Sequence, residues 1–126
     1  MIPCSCDIKI TAAGSALLVE PIARKAKNYL DAAGNSPFRK WITRKSDGKL
    51  RNRINVRIRR IEVVGNYGDC EPVGEGVYEL IFDTGPGYRV YFGIDGNEVI
   101  LLGGGDKSTQ VSDIRKAKEY WKDYNA

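Results

Sequence analysis

The stretch Tyr78 to Gln110, YELIFDTGPGYRVYFGIDGNEVILLGGGDKSTQ, decides how this chain is read. Val77 to Phe82, Tyr88 to Ile94 and Glu98 to Leu102 are rich in β-branched and aromatic residues. They are separated by the turn residues Gly85-Pro86-Gly87 and Asp95-Gly96-Asn97, a pattern that predicts an antiparallel meander. Between Ile61 and Asp106 there are nine acids and one cation, Arg89. Arg89 and Tyr91 have the same parity on their strand and project from one face, and Tyr88 projects from the other. The simplest role for a lone cation here is an ion pair with Asp83, Asp95 or Asp106. The alternative is a site.

The segments that flank the meander read as helical. Downstream, Gly103-Gly104-Gly105-Asp106 lacks the GxxxxGK[ST] spacing of a phosphate-binding loop and reads as a flexible strand exit. Ser108 or Thr109 then caps a helix with Ile114, Ala117, Trp121 and Tyr124 on one side and Arg115, Lys116, Lys118 and Lys122 in water. Upstream, Ala23 to Leu30 reads as a first strand, closed by the turn Asp31-Ala32-Ala33-Gly34-Asn35. Ser36 is placed to cap a short helix that starts at Pro37, buries Phe38, Trp41 and Ile42, and ends near Arg44. After the break at Ser46-Asp47-Gly48, Leu50, Ile54, Ile58 and Ile61 recur at helical spacing, with Arg51, Arg53, Arg57, Arg59 and Arg60 off that stripe. Gly65 ends this basic amphipathic helix.

Composition narrows what such a chain can do. With 126 residues, 42% of them hydrophobic, it can bury one modest core. No apolar run approaches the ~20 residues of a membrane helix, so a cytoplasmic protein without membrane contact is expected. Met1 to Ile22 reads as an N-terminal extension, loosely packed or the product of a start set too far upstream, and residues 23–126 form the domain. Cys4, Cys6 and Cys70 fit neither a disulfide framework nor a zinc knuckle, so free thiols and no metal or other cofactor are expected.

Charge is distributed unevenly. Arg24 to Arg60 holds 13 of the 20 basic residues against two acids, Asp31 and Asp47, a density that suits a polyanion such as nucleic acid. The chain has no histidine, which excludes Ser-His-Asp and Cys-His catalysis. What remains is a basic and aromatic set, Tyr88, Arg89, Tyr91, Lys107 and the helix arginines. Such a set suits RNA cleavage by 2′-hydroxyl attack, in which cations stabilise charge growing on the scissile phosphate, and suits plain nucleic-acid binding equally.

Taken in order, FRKWI, RIRRIE-VVGNYGD, PVGEGVYEL, GPGYRVYFG and GGDKSTQ resemble the phage-derived addiction-module killer proteins, HigB-like toxins of the RelE/ParE superfamily. The resemblance runs from about Ala23 to the C-terminus. It implies an α+β fold in which an N-terminal helix pair packs on a small antiparallel sheet, followed by a C-terminal helix. It implies a type II toxin held by a cognate antitoxin protein and acting as a ribosome-dependent, metal-independent mRNA endonuclease. Other members instead poison DNA gyrase, and a chain that only binds its antitoxin is a further alternative. The implied catalytic residues are Arg89, Lys107 and Tyr91, with Arg53, Arg57 and Arg60 binding RNA. Where the family commonly carries a basic residue before the GPGYR turn, this chain has Ile81.

Overall fold

The computed structural model describes residues 24–45 and 47–126. The expectations for residues 1–22 lie outside these described residues. Five strands form one sheet: β1 (Lys25–Asn28), β2 (Cys70–Gly74), β3 (Val77–Phe82), β4 (Tyr88–Asp95) and β5 (Glu98–Gly105). Among the described residues three helices accompany it, α1 (Pro37–Lys45), α2 (Gly48–Val64) and α3 (Gln110–Tyr124), with a 3-10 turn at Lys107–Thr109 leading into α3. The sheet order is β1-β5-β4-β3-β2.

The fold is α+β, and one feature of the sheet corrects the expectation of a purely antiparallel arrangement. The meander β2-β3-β4-β5 is antiparallel, but β1 pairs parallel with β5, from Lys25 opposite Glu98 to Asn28 opposite Leu101. Parallel pairing needs a long crossover, and α1, α2, β2, β3 and β4 all lie between the two strands in sequence. Local pattern cannot report it. Strand β2, which contains Pro72 and Gly74, was not among the strands expected from the sequence. Both are tolerated because β2 is an edge strand and its register shifts between those residues.

Helices cover both faces of the sheet. Toward α1 and α2, Phe38, Trp41, Ile42, Leu50, Ile54 and Ile61 pack on Leu80, Phe82, Val90, Phe92, Val99 and Leu101. Toward α3, Val77, Tyr91, Ile100 and Leu102 bury Tyr29 and Ala117, with Ile114, Tyr120, Trp121 and Tyr124 packed around them. A strand buried on both sides carries apolar residues at consecutive positions, which is why Val90-Tyr91-Phe92 and Val99 to Leu102 do not alternate with polar residues.

Helix ends follow the sequence closely. Ser36 Oγ accepts from the Arg39 amide at 3.0 Å, and Asp47 Oδ1 accepts from the Lys49 and Leu50 amides at 3.0 and 3.2 Å. Gly65, at φ 68°, closes α2 in the left-handed conformation. At α3 the cap differs from expectation. Asp106 accepts from the Ser108 amide at 2.8 Å and from its hydroxyl at 2.6 Å, while Thr109 makes no capping bond to the helix amides. These bonds hold the Asp106 carboxyl below its usual range. Cys70 is buried and disulfide-bonded, which corrects the expectation of a free thiol there.

The glycine run is strand, not a flexible exit. A side-chain carbon at Gly104 would fall inside the Trp41 ring, and one at Gly105 would collide with the Asp113 carboxylate. Gly103 differs, with nothing within 4 Å of such a carbon. Gly104→Ala should therefore lower stability by about 1–3 kcal/mol through overpacking, whereas Gly103→Ala should stay within about 0.5 kcal/mol of the parent. Urea unfolding of the two variants checks this, and equal midpoints would contradict the packing described.

Candidate nucleic-acid interface

Arg89 lies in β4 with its side chain 13% exposed, and its Nε is 3.7 Å from Glu79 Oε1 in β3. Its Nη1 donates to the Gly87 carbonyl at 3.1 Å. The acid it faces is not Asp83, Asp95 or Asp106 but the buried Glu79. Glu79 in turn accepts from Gln110 Nε2, which lies 3.1 Å from each of its carboxylate oxygens. Register explains the meeting. Tyr91 sits opposite Glu79 and Ile81 opposite Arg89, so Arg89 and Glu79 are diagonal neighbours on the face that α3 covers. Gln110 reaches them because it begins α3.

Lys107 is exposed on the 3-10 turn, and its amide donates to the Pro86 carbonyl at 3.4 Å. This contact docks the turn after β5 on the turn before β4. A side-chain carbon at Gly87 would lie 3.4 Å from Arg89 Nη1 and 3.5 Å from Lys107 Cβ. The two motifs that stand 18 positions apart in sequence thus meet around one glycine.

Tyr91 shares the Arg89 face, as parity requires, but is fully buried beneath α3. Its hydroxyl faces Glu79 without a hydrogen bond of ordinary geometry. Burial first, and then the Glu79 and Asp113 carboxylates, hold this phenol neutral far above its usual range. Tyr91 therefore neither titrates near neutrality nor reaches solvent; what it does is wall the Arg89–Glu79 pair. Tyr88 faces the opposite side, 6.3 Å from Trp41 and under the Lys45 ammonium at 5.8 Å.

The arginines of α2 separate into two kinds. Arg53 and Arg60 are exposed, and with Arg51 and Arg59 they give the helix a solvent-facing cationic side. Arg57 is half-buried and turned inward. Its Nη1 donates to the Ile81 carbonyl at 2.9 Å, and its Nη2 to the Tyr67 and Asp69 carbonyls at 3.1 and 2.9 Å. Its guanidinium also lies 4.6 Å over the Phe82 ring. It pins α2 to the start of β2 and the end of β3, which sequence reading did not anticipate because nothing local distinguishes Arg57 from its neighbours.

Among the described residues, no group of His, Cys, Asp and Glu could hold a metal ion, and no helix is long and apolar enough to cross a membrane. No family model matches the chain, and no solved structure matches it. Over 82 residues it is 46% identical to a protein of Haemophilus influenzae described as an uncharacterized protein, spanning 64% of this chain and 82% of that one. The two chains belong to one family.

Replacing Arg57 removes three bonds from a charged donor, so Arg57→Ala should cost about 2–3 kcal/mol and Arg53→Ala less than about 0.5 kcal/mol. Denaturant midpoints separate the two; equal losses would dissolve the distinction. A second expectation concerns alkaline pH. Burial, then the hydrogen bond to Asp123, pushes Tyr29 up to about 12, and burial pushes Tyr67 up to about 12. Unfolding frees these phenols to ionise near pH ~10 while the folded chain still holds their protons. Their contribution to stability is complete below about pH 10 and is lost as pH rises through about 12. Phenolate absorbance followed with circular dichroism should show part of the seven tyrosines ionising only as structure is lost. A single smooth titration in a folded chain would oppose this.

Proposed function

We propose that this chain, a member of the family it shares with the Haemophilus protein, is the toxin of a type II toxin–antitoxin pair with a RelE/ParE-like fold. Its activity is metal-independent cleavage of mRNA on the ribosome, and its partner is a cognate antitoxin protein. The convergence of Arg89 and Lys107 on Gly87 carries this reading, because two basic residues from separate motifs meet at one pair of docked turns. The exposed Arg53 and Arg60 on α2 support it, as their guanidinium forks match phosphate oxygens.

In the cleavage step, the 2′-oxygen bonds to the neighbouring phosphorus and its proton passes to solvent water. The bond from phosphorus to the 5′-oxygen breaks, and that oxygen takes a proton from water. The chain contributes charge and position. Lys107, exposed on its turn, meets the phosphate oxygens as charge grows on them. Arg89 supplies the second cation, aimed by Glu79 and by the Gly87 carbonyl. Tyr91 supports this pair from beneath.

One observation favours a second reading, a toxin that binds DNA gyrase or another protein without cutting RNA. Ile81, directly across from Arg89, places an apolar side chain where the resemblance implies a further cation, and Arg89 is itself ion-paired to a buried carboxylate. Expression from a tightly repressed promoter, with 5′ ends of mRNA mapped minutes after induction, separates the readings. Growth arrest with new cuts in translated codons is expected. Lys107→Gln, on the exposed turn, should reduce the cuts by about tenfold or more without altering the fold. Arrest without cuts transfers the proposal to a protein target, and absence of arrest removes the toxin reading.

A further inference from the structure

β1 pairs with β5 only as far as Leu101, where the Tyr29 amide makes a last bond to the Leu101 carbonyl at 3.0 Å. From Leu102 to Gly105 the strand has β4 on one side and, among the described residues, no strand on the other. This open edge is not bare to solvent. It forms the base of a cleft of about 210 Å³ between α1 and α3, with Trp41 and Tyr120 among its walls and Lys40, Arg44 and Lys116 at its margin.

We infer that this cleft is a subsite for one unpaired nucleotide of an RNA chain, an inference that rests on the RNA-directed reading above. Four features suit that ligand together. A strand edge offers both N–H donors and C=O acceptors, the combination that a base's pairing edge requires and that a simple anion does not use. The three cations outnumber the one carboxylate in the lining, Asp113, which is already engaged by the Thr109 hydroxyl. Tyr120 is held by stacking on Tyr29 at 5.2 Å, so an aromatic wall stands in fixed position. Gly103 leaves open space where any other residue would project a side chain into the cleft.

The subsite is distinct from the Arg89–Lys107 pair, with neither residue in its lining, and β5 links the two regions in register. Gly103 lies opposite Tyr91 and Gly105 opposite Arg89, two residues further along the strand. An RNA strand following β5 would place one nucleotide in the cleft and a neighbouring phosphate toward the cations at Gly87. Selection at this position would come from the backbone edge, since base contacts specify and phosphate contacts position.

Backbone amide shifts of the full chain, titrated with each of the four ribonucleoside 5′-monophosphates and with inorganic phosphate, test the assignment. Shifts should concentrate at Gly103, Gly104, Lys116 and Tyr120, with unequal affinities among the bases. Gly103→Leu should abolish them while leaving the unfolding midpoint near that of the parent. Lys40→Gln combined with Lys116→Gln should weaken binding about tenfold and flatten its salt dependence. Inorganic phosphate reproducing the same shifts at the same affinity would reduce the cleft to an anion site and overturn the nucleotide assignment, as would no shifts in the cleft at all. mRNA cleavage by a chain that shows no such shifts would sink the subsite and leave the nuclease reading standing. Cleft binding without any cleavage would support the subsite and remove the nuclease.

Discussion

Strand β4 sends Val90 and Phe92 into α1 and α2 and Tyr91 into α3, and this burial of both faces constrains nearly everything else. A sheet covered on both sides has no free face on which to spread a site. Polar chemistry is pushed to the margins, to the turn pair around Gly87, the outer side of α2 and the open edge of β5. The ion pair of Arg89 with the buried Glu79 is flanked by Tyr91 and supplied with a further donor by Gln110. Removing one partner of such a pair leaves an uncompensated buried charge.

That constraint also explains the glycines of β5. The strand runs between Trp41 on one side and Asp113 on the other, and at Gly104 and Gly105 neither neighbour leaves room for a β-carbon. Close approach there brings α1 and α3 down toward the strand edge, and where their side chains diverge, at Gly103, the cleft opens. Packing and cavity arise from the same run of three residues. The cationic margin then follows from the helices, each of which turns its apolar face to the sheet and leaves lysine and arginine at the rim.

Arginine serves three separate purposes in this chain. Arg57 bonds three carbonyls and covers a ring, Arg89 pairs with a buried acid, and Arg53 and Arg60 stand in water. The residue type was the same in each case, and a charge count could not separate them. In a helix, a residue only a few positions from another can face the sheet or the solvent, and the difference is set by what the next elements bring alongside.

Local chemistry sufficed for α1 and α2, where Ser36, Pro37, Asp47 and Gly65 mark the ends, and for β3 and β4, whose apolar runs are bounded by glycine-containing turns. Those signals act between residues a few positions apart, so they survive being read in isolation. The shared face of Arg89 and Tyr91 was legible for the same reason. The parallel pairing of β1, the edge strand β2, the partnership of Arg89 with Glu79 and Gln110, the inward turn of Arg57 and the cleft beside Gly103 were decided only by tertiary structure. Each depends on elements far apart in the chain arriving side by side, and the free energy that brings them there comes from burying both faces of the sheet, a property of no single segment.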